Sequence, residues 1–165
     1  MGIPRWVTKG RPVAIELGQE IPAPPEIVWE LVTDWERQGE WMLEARDFEV
    51  LTKRREGVGV EARAMVRIGG ITTRDRVRVT AWELHERLMI RHMGWVSGEA
   101  EMYLTPVGIS SSYLLWREEL EPPLGLLGGF GLRMFEPLLR RVFARDLRVL
   151  AELGRRQMLE ANPPA

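Results

Sequence analysis

Residues 132–157, LRMFEPLLRRVFARDLRVLAELGRRQ, decide the fold. Phe135, Leu138, Leu139, Val142, Phe143, Val149, Leu150 and Leu153 recur at helical spacing, while Arg140, Arg141 and Arg148 fall away from them. The pattern predicts one long amphipathic helix from about Leu132 to Gln157 with a single apolar stripe. A stripe of that length has to lie on another layer. The residues before it supply one: from Phe48 to Leu120 the chain reads as strands, broken at 56–59, 69–70, 85–87, 96–99 and 106–110. Breaks this short join antiparallel neighbours, because a parallel crossover needs a dozen or more residues, so the layer is a meander.

Arginines and glutamates mark the outer face of that sheet: Glu61, Arg63 and Arg67, then Arg74, Arg76 and Arg78, then Arg91, Glu99, Glu101, Arg117 and Glu119. Alternation assigns the inner face to Val60, Ala62, Ala64, Val66 and Ile68; Asp75, Val77, Val79 and Ala81; Leu88, Ile90, His92 and Gly94; Ala100, Met102 and Leu104; and Ser112, Leu114, Trp116 and Glu118. Many of these are small. A face of Ala, Gly and Val does not fill a wide gap beneath a helix, so a hollow is expected between the two layers.

Upstream, Val13, Ile15 and Leu17 alternate with Ala14, Glu16 and Gly18 in a first strand over 12–21. Pro22, Pro24 and Pro25 then mark a turn and a helix start. Ile27, Val28, Leu31 and Val32 carry that helix to Thr33, and a second short helical piece is expected over Trp35–Trp41, making a helix pair.

Composition bounds the possibilities. The chain has 165 residues, 45% hydrophobic and 28% charged, which suits one domain spanning 1–165 that buries its own core, with residues 1–11 and 160–165 as a flexible leader and tail. A net charge of -1 gives no overall attraction for nucleic acid. The absence of cysteine excludes disulfides, thiolate nucleophiles and Cys-ligated metals and agrees with a reducing, cytoplasmic setting. No apolar run approaches the roughly 20 residues of a membrane span, and the first residues lack the apolar core of a secretory signal. The sequence leaves a monomer and a homodimer open.

The segment IPAPPEIVWELVTDWERQGEW, the hairpin-rich middle, TPVG before the last strand and the long terminal helix together resemble the polyketide cyclase/dehydrase and lipid-transport branch of the START and Bet v 1-like superfamily. The resemblance runs from Pro12 to Arg156. It implies an α+β helix-grip fold: a seven-stranded antiparallel sheet wrapped around a long C-terminal helix, with a cavity between them. Its members range from carriers of lipids, hormones or quinones to cyclases of polyketides, so the fold alone does not choose among them.

Within such a cavity the ligand-facing positions are expected to be Asp75, Val77, Val79, Ile90, His92, Met102, Leu114, Trp116, Phe135, Leu139, Val142 and Asp146. Asp146 stands near the centre of the helical stripe, where a carboxylate has to be paired, wet or neutral. The plainer reading is a carboxylate that caps a strand edge or pairs with an arginine from the sheet or a loop. The functional one is a polar anchor or an acid of raised pKa. His92 reads first as a hydrogen-bonded core residue and second as a general acid or base, one strand across from Met102. Asp75 and Glu118 share the inner parity but lie near strand ends, where solvation is expected. Trp116, beside Gly94 and Ala100, divides between core packing and a cavity wall with an open indole face. Leu126, Leu127 and Phe130, in the glycine-rich stretch LGLLGGFG (124–131), read as a gate on a loosened backbone. Asp75, His92, Glu118 and Asp146 have no diagnostic metal spacing, Ser110–Ser112 sit in no nucleophile elbow, and the glycine run fits no phosphate-binding fingerprint. No metal and no cofactor are expected, and catalytic residues are left unassigned.

Three functions remain from the residues and the resemblance. The preferred one is a carrier of a hydrophobic small molecule, such as a lipid, quinone or polyketide-like compound. The second is an aromatase/cyclase-type enzyme using His92, Asp146 and Tyr103 or Tyr113. The third is a partner-binding regulator or quinone chaperone working through the basic flank of the last helix, a flank that also leaves room for peripheral membrane contact.

Overall fold

Seven strands form one antiparallel sheet in the order β1-β7-β6-β5-β4-β3-β2, so the meander from β2 to β7 is closed on its far side by β1. The computed structural model describes residues 12–121 and 125–161. The strands are β1 (Val13–Ile21), β2 (Ala45–Val50), β3 (Glu61–Ile68), β4 (Ile71–Glu83), β5 (Arg87–Met93), β6 (Ser97–Val107) and β7 (Ser111–Glu121). Two α-helices complete the fold, α1 (Pro25–Thr33) and α2 (Gly125–Ala161). Gly69 and Gly70, both at positive φ (58° and 82°), make the two-residue turn that lets β3 fold back on β4 with Ile68 opposite Ile71.

The outer face carries cross-strand pairs as the charge pattern predicts: Glu16 with Arg117, Arg91 with Glu99, Glu49 with Arg63, and Glu61 with Arg76. On the inner face the alternation holds with one exception. A register shift between Val79 and Ala81 reverses the parity of β4, so Ala81 pairs with Met89 while Trp82 pairs with the buried Leu88 and packs on the core. Ala81, expected inside, gives its place to Trp82, whose ring meets Trp29 of α1 edge-on at 5.2 Å.

After β1 there is one short α-helix, not a pair. Trp35–Trp41 forms turns with a single 3-10 segment at Gln38–Glu40. The side chains of this stretch bond back to α1: Gln38 Nε2 donates to the Val32 carbonyl (3.0 Å) and Trp41 Nε1 to the Leu31 carbonyl (3.2 Å). They satisfy carbonyls that the end of α1 leaves without helical partners, which fixes the segment without a second helix.

Helix α2 is longer than the apolar stripe predicts. It starts at Gly125, so the glycine-rich stretch is helical rather than a loosened loop. Glycine weakens a helix by about 1 kcal/mol per position without blocking it. Its two halves do different work. In the second half Leu147 and Leu150 are fully buried with Ile15, Ile21 and Val28, and Gly154 lets the helix approach β1 so closely that a Cβ there would stand 2.7 Å from Ile21 Cγ2. The first half spans the remainder of the sheet, where the small inner residues leave the interior open.

Candidate functional site

A cavity of about 370 Å³ lies between the first half of α2 and the inner face of the sheet. Its floor is made by short side chains, Ala62 and Ala64 on β3 and Ala100 on β6, and its roof by Leu132, Phe135, Leu139 and Phe143 of α2. Trp41, Phe48 and Trp116 close one side, and Trp95 in the β5–β6 turn stands at the wall with 58% of its surface exposed. The volume falls at the small end of the range typical of small-molecule pockets.

Of the positions expected to face a ligand, Asp75, Val77, Ile90, His92, Met102, Trp116, Phe135 and Leu139 line this cavity. Val79, Leu114, Val142 and Asp146 do not. Val79 lies in the buried core beside Val60, to whose carbonyl its N–H donates, and Leu114 is buried in the core cluster of the sheet. Val142 packs half-buried beside the core, on a flank of α2. Leu126 and Leu127 lie outside the described side chains, whereas Phe130 is 70% exposed on the first turns of the helix. The gate expected on a flexible loop is therefore corrected to a helical segment.

Polar chemistry on the cavity wall converges on His92. Strand β5 sits next to β4, with His92 opposite Val77, and next to β6, with His92 opposite Gly98 rather than near Met102, which faces Leu88. His92 Nδ1 donates to Asp75 Oδ2 at 2.6 Å. On the other side of the ring Nε2 stands 2.8 Å from Glu118 Oε1, an ion-pair distance but off the N–H axis. Glu118 Oε2 accepts in turn from Trp116 Nε1 at 2.8 Å. Glu118 is 3% exposed, so the rim position expected for it is wrong. Strand β7 is flanked on both sides, with Ile15 and Ala100 opposite Glu118, which places that side chain inside the sheet rather than at a wet end. Asp75, with 20% of its side chain exposed, is likewise drawn in by His92. Burial pulls the imidazole towards its neutral form, but the Glu118 charge and the Asp75 hydrogen bond outweigh it and push the pKa up to about 10. At neutral pH His92 is an imidazolium.

Trp116 is wall and core at once. It is buried, Phe143 covers its face at 4.8 Å, and the Trp41 edge meets it at 5.9 Å, so the open indole face expected from small neighbours is closed. Met102 and Leu17 are its strand neighbours, not Gly94 and Ala100.

A second polar cluster adjoins the cavity through Glu44, which lies just before β2. Asp146, 0% exposed, accepts from Arg145 Nε and Nη2 at 3.0 and 2.7 Å, and Arg145 Nη2 also reaches Glu44 Oε2 at 2.8 Å. The partner of Asp146 is thus its own neighbour on α2, not an arginine of the sheet or a loop. Glu44 faces Asp146, and burial together with the bond to that carboxyl raises its pKa to about 8. Nothing in its sequence neighbourhood marks Glu44, which sits in the short connection WMLEARDF (41–48) with no regular apolar period. Among the described residues no group of three or more His, Asp or Glu side chains is arranged to hold a metal ion, and no helix is long and apolar enough to cross a membrane.

The comparisons with known proteins agree with this architecture. The Zhui aromatase/cyclase of Streptomyces sp. R1128 superposes with a TM-score of 0.78 at 17% identity, covering 92% of this chain and 99% of that one. A protein of Thermus thermophilus gives 0.74 at 22% identity over 91% and 99% of the two chains. A START superfamily protein of Mycobacterium smegmatis gives 0.67 at 18% over 90% and 99%. At these identities the likeness is one of fold. None of the curated proteins matches the chain in sequence. A sequence profile described as polyketide cyclase/dehydrase and lipid transport matches residues 12–154, most of the chain. A helix-grip fold, an apolar hollow beneath its long helix and that match together place the chain in the polyketide cyclase/dehydrase and lipid-transport family.

Proposed function

We propose that this protein binds a hydrophobic small molecule in the cavity beneath the first half of α2 and holds it there without covalent chemistry. The observation that carries the reading is the character of the wall: mostly alanines, branched aliphatics and aromatics, interrupted on the strands by the charged cluster at His92 and by Arg63 and Arg74. Burial of apolar surface at about 25 cal/mol per Å² drives such binding, and the cluster gives the ligand one orientation. Ligands of two or three fused rings, or short lipids, suit the volume. Phe130, Met134 and Trp95, exposed on the first half of α2 and on the β5–β6 turn, offer apolar surface to an incoming ligand.

Native mass spectrometry of the purified protein, followed by extraction and identification of retained compounds, tests this. A co-purified apolar molecule displaced by Ala100→Phe, which fills the floor, supports the reading. Retention of the same compound by the filled variant would overturn it.

A second reading, a cyclase or dehydratase acting in the same cavity, draws on a specific feature: an imidazolium held by two carboxylates against the cavity. A group so placed can polarise a carbonyl or pass a proton during enolisation. Turnover of an aromatic-forming poly-β-keto thioester analogue that His92→Gln abolishes while ligand retention persists would favour the enzyme over the carrier.

A further inference from the structure

One wall of the cavity is held by few bonds. Residues 41–48 supply Trp41, Met42, Ala45 and Phe48 to its lining and run into β2, the strand at one edge of the sheet. Pairing of β2 with β3 holds at Ala45–Val66 and Arg46–Met65 and then shifts register before Glu49, with Asp47 at a positive φ of 56° between them. A bulge on an edge strand leaves backbone groups unpaired, and such a segment can open without unfolding the rest. The side chain that reaches from it to the helical roof is Glu44. Its Oε2 takes Arg145 Nη2 at 2.8 Å, and its carboxyl meets that of Asp146, about one turn beyond Phe143 of the roof. Both acids are withdrawn from water, with 5% of the Glu44 side chain and 0% of the Asp146 side chain exposed. Arg145 occupies Asp146 Oδ1, and among the described residues no N–H or hydroxyl reaches Oδ2, which leaves that buried atom to accept the carboxyl proton of Glu44.

We propose that this contact is a proton-operated latch: while Glu44 keeps its proton, residues 41–48 are clamped to α2, and when the proton leaves, the segment comes free and that side of the cavity opens. The carboxyl pair supplies both states. Protonated, Glu44 donates to Asp146; ionised, it sets a second negative charge against the first in a space of low dielectric, with one guanidinium, itself 39% exposed, to serve two acids. The pKa of about 8 puts the change in mildly alkaline solution, below the range in which His92 gives up its proton. The charged side chains that face Glu44 are Asp146 and Arg145 of α2. Strand β3 meets it through the Arg67 backbone N–H, which donates to the Glu44 carbonyl at 2.8 Å, and on its own segment Arg46 and Asp47 pair with each other in solvent at 3.8 Å. The latch concerns the wall and not what the cavity holds, so it stands apart from the binding role proposed above.

Amide hydrogen exchange of the full-length protein, read by mass spectrometry and corrected for the pH dependence of the intrinsic rate, tests the latch. Between pH 6.5 and pH 9 the protection of residues 41–48 should fall at least about tenfold, as the closed form loses the proton that holds it. At both pH values the segment should exchange faster than β6 and β7, because it opens locally. Glu44→Gln, whose amide donates to Asp146 at every pH, should hold the protection of 41–48 within about twofold over the same range. Asp146→Asn, which removes the opposing charge, should do the same, and each variant is checked for native far-ultraviolet circular dichroism. A flat profile in the wild type would overturn the latch, as would an equal fall in Glu44→Gln. Protection of 41–48 equal to that of β6 and β7 at both pH values would overturn it as well, since the segment would then come free only when the whole domain unfolds.

Discussion

On the sheet, Asp75 and Glu118 stand on either side of His92; on the helix, Glu44 and Asp146 come together across Arg145. Each cluster brings two carboxyl groups into a space with little water, and like charges there repel strongly. The sheet cluster relieves the repulsion with a cation inserted between the acids, a ring whose pKa rises to about 10. The helix cluster places its cation at the edge, with 39% of the Arg145 side chain exposed, and retains a proton on Glu44, whose pKa rises to about 8. The difference teaches that the position of the cation decides what the acids do. Between them it stabilises two charges; beside them it leaves one acid holding its proton.

Replacement of the inserted cation should have the largest effect. His92→Leu leaves Asp75 and Glu118 facing an apolar side chain, and removal of one member of a buried ion pair costs about 3–5 kcal/mol. Urea unfolding at pH 7 should show a loss of that size. A loss below about 1 kcal/mol would mean that water or a rearranged side chain serves these acids already, and the contrast between the clusters would collapse. Arg145→Met should cost less, about 1–3 kcal/mol, because its partly exposed guanidinium is replaced in part by solvent and Glu44 can stay neutral.

The pH dependence separates the clusters by window. The native state holds the His92 proton more tightly than the unfolded chain does, so its contribution is complete below about pH 6.5 and disappears as the pH rises through about 10. Glu44 likewise keeps its proton on folding, and stability falls from about pH 4.5 to about 8. Each slope is on the order of 1 kcal/mol per pH unit within its window. The stability difference between wild type and Glu44→Gln should therefore change below pH 6.5, and that between wild type and His92→Gln above pH 8. Identical profiles for the two variants would show one coupled network instead of two clusters.

The contrast also marks how far the sequence can be read. The helix stripe and the strand alternation depend only on periods of 3.6 and 2, and the sheet, its antiparallel order and the open space under α2 follow from them. The same parity puts His92, Asp75 and Trp116 on the inner face. Positions that depend on pairing are less legible: Glu118 reads as a strand end because its flanking by β1 comes from residues about a hundred positions away. Likewise, one register shift at Thr80 exchanges Ala81 for Trp82. Glu44 leaves no trace, since a short connection between turn and strand has no period to violate. Asp146 is visible as an anomaly, but its partners are not. Its charge is met by the adjacent Arg145, whose side chain turns along the helix, a choice of rotamer rather than of sequence pattern.

The smallest effect belongs to the outer face, and it tests whether burial or residue type governs the comparison. Glu16 and Arg117 pair across β1 and β7 at 2.6 Å, a distance as short as any in the buried clusters, yet half of each side chain is in water. Water already solvates both charges there, so folding gains little Coulomb energy, while two long side chains lose rotamer freedom. A double-mutant cycle with Glu16→Gln and Arg117→Met should give a coupling of about 0.2–1 kcal/mol that declines in 1 M salt, where screening reaches only about 3 Å. The matching cycle between His92→Leu and Glu118→Gln should exceed it several-fold and resist salt. Equal couplings would mean that the interior is wetter than its apolar lining implies, and the contrast between buried and exposed pairs would lose its physical basis with it.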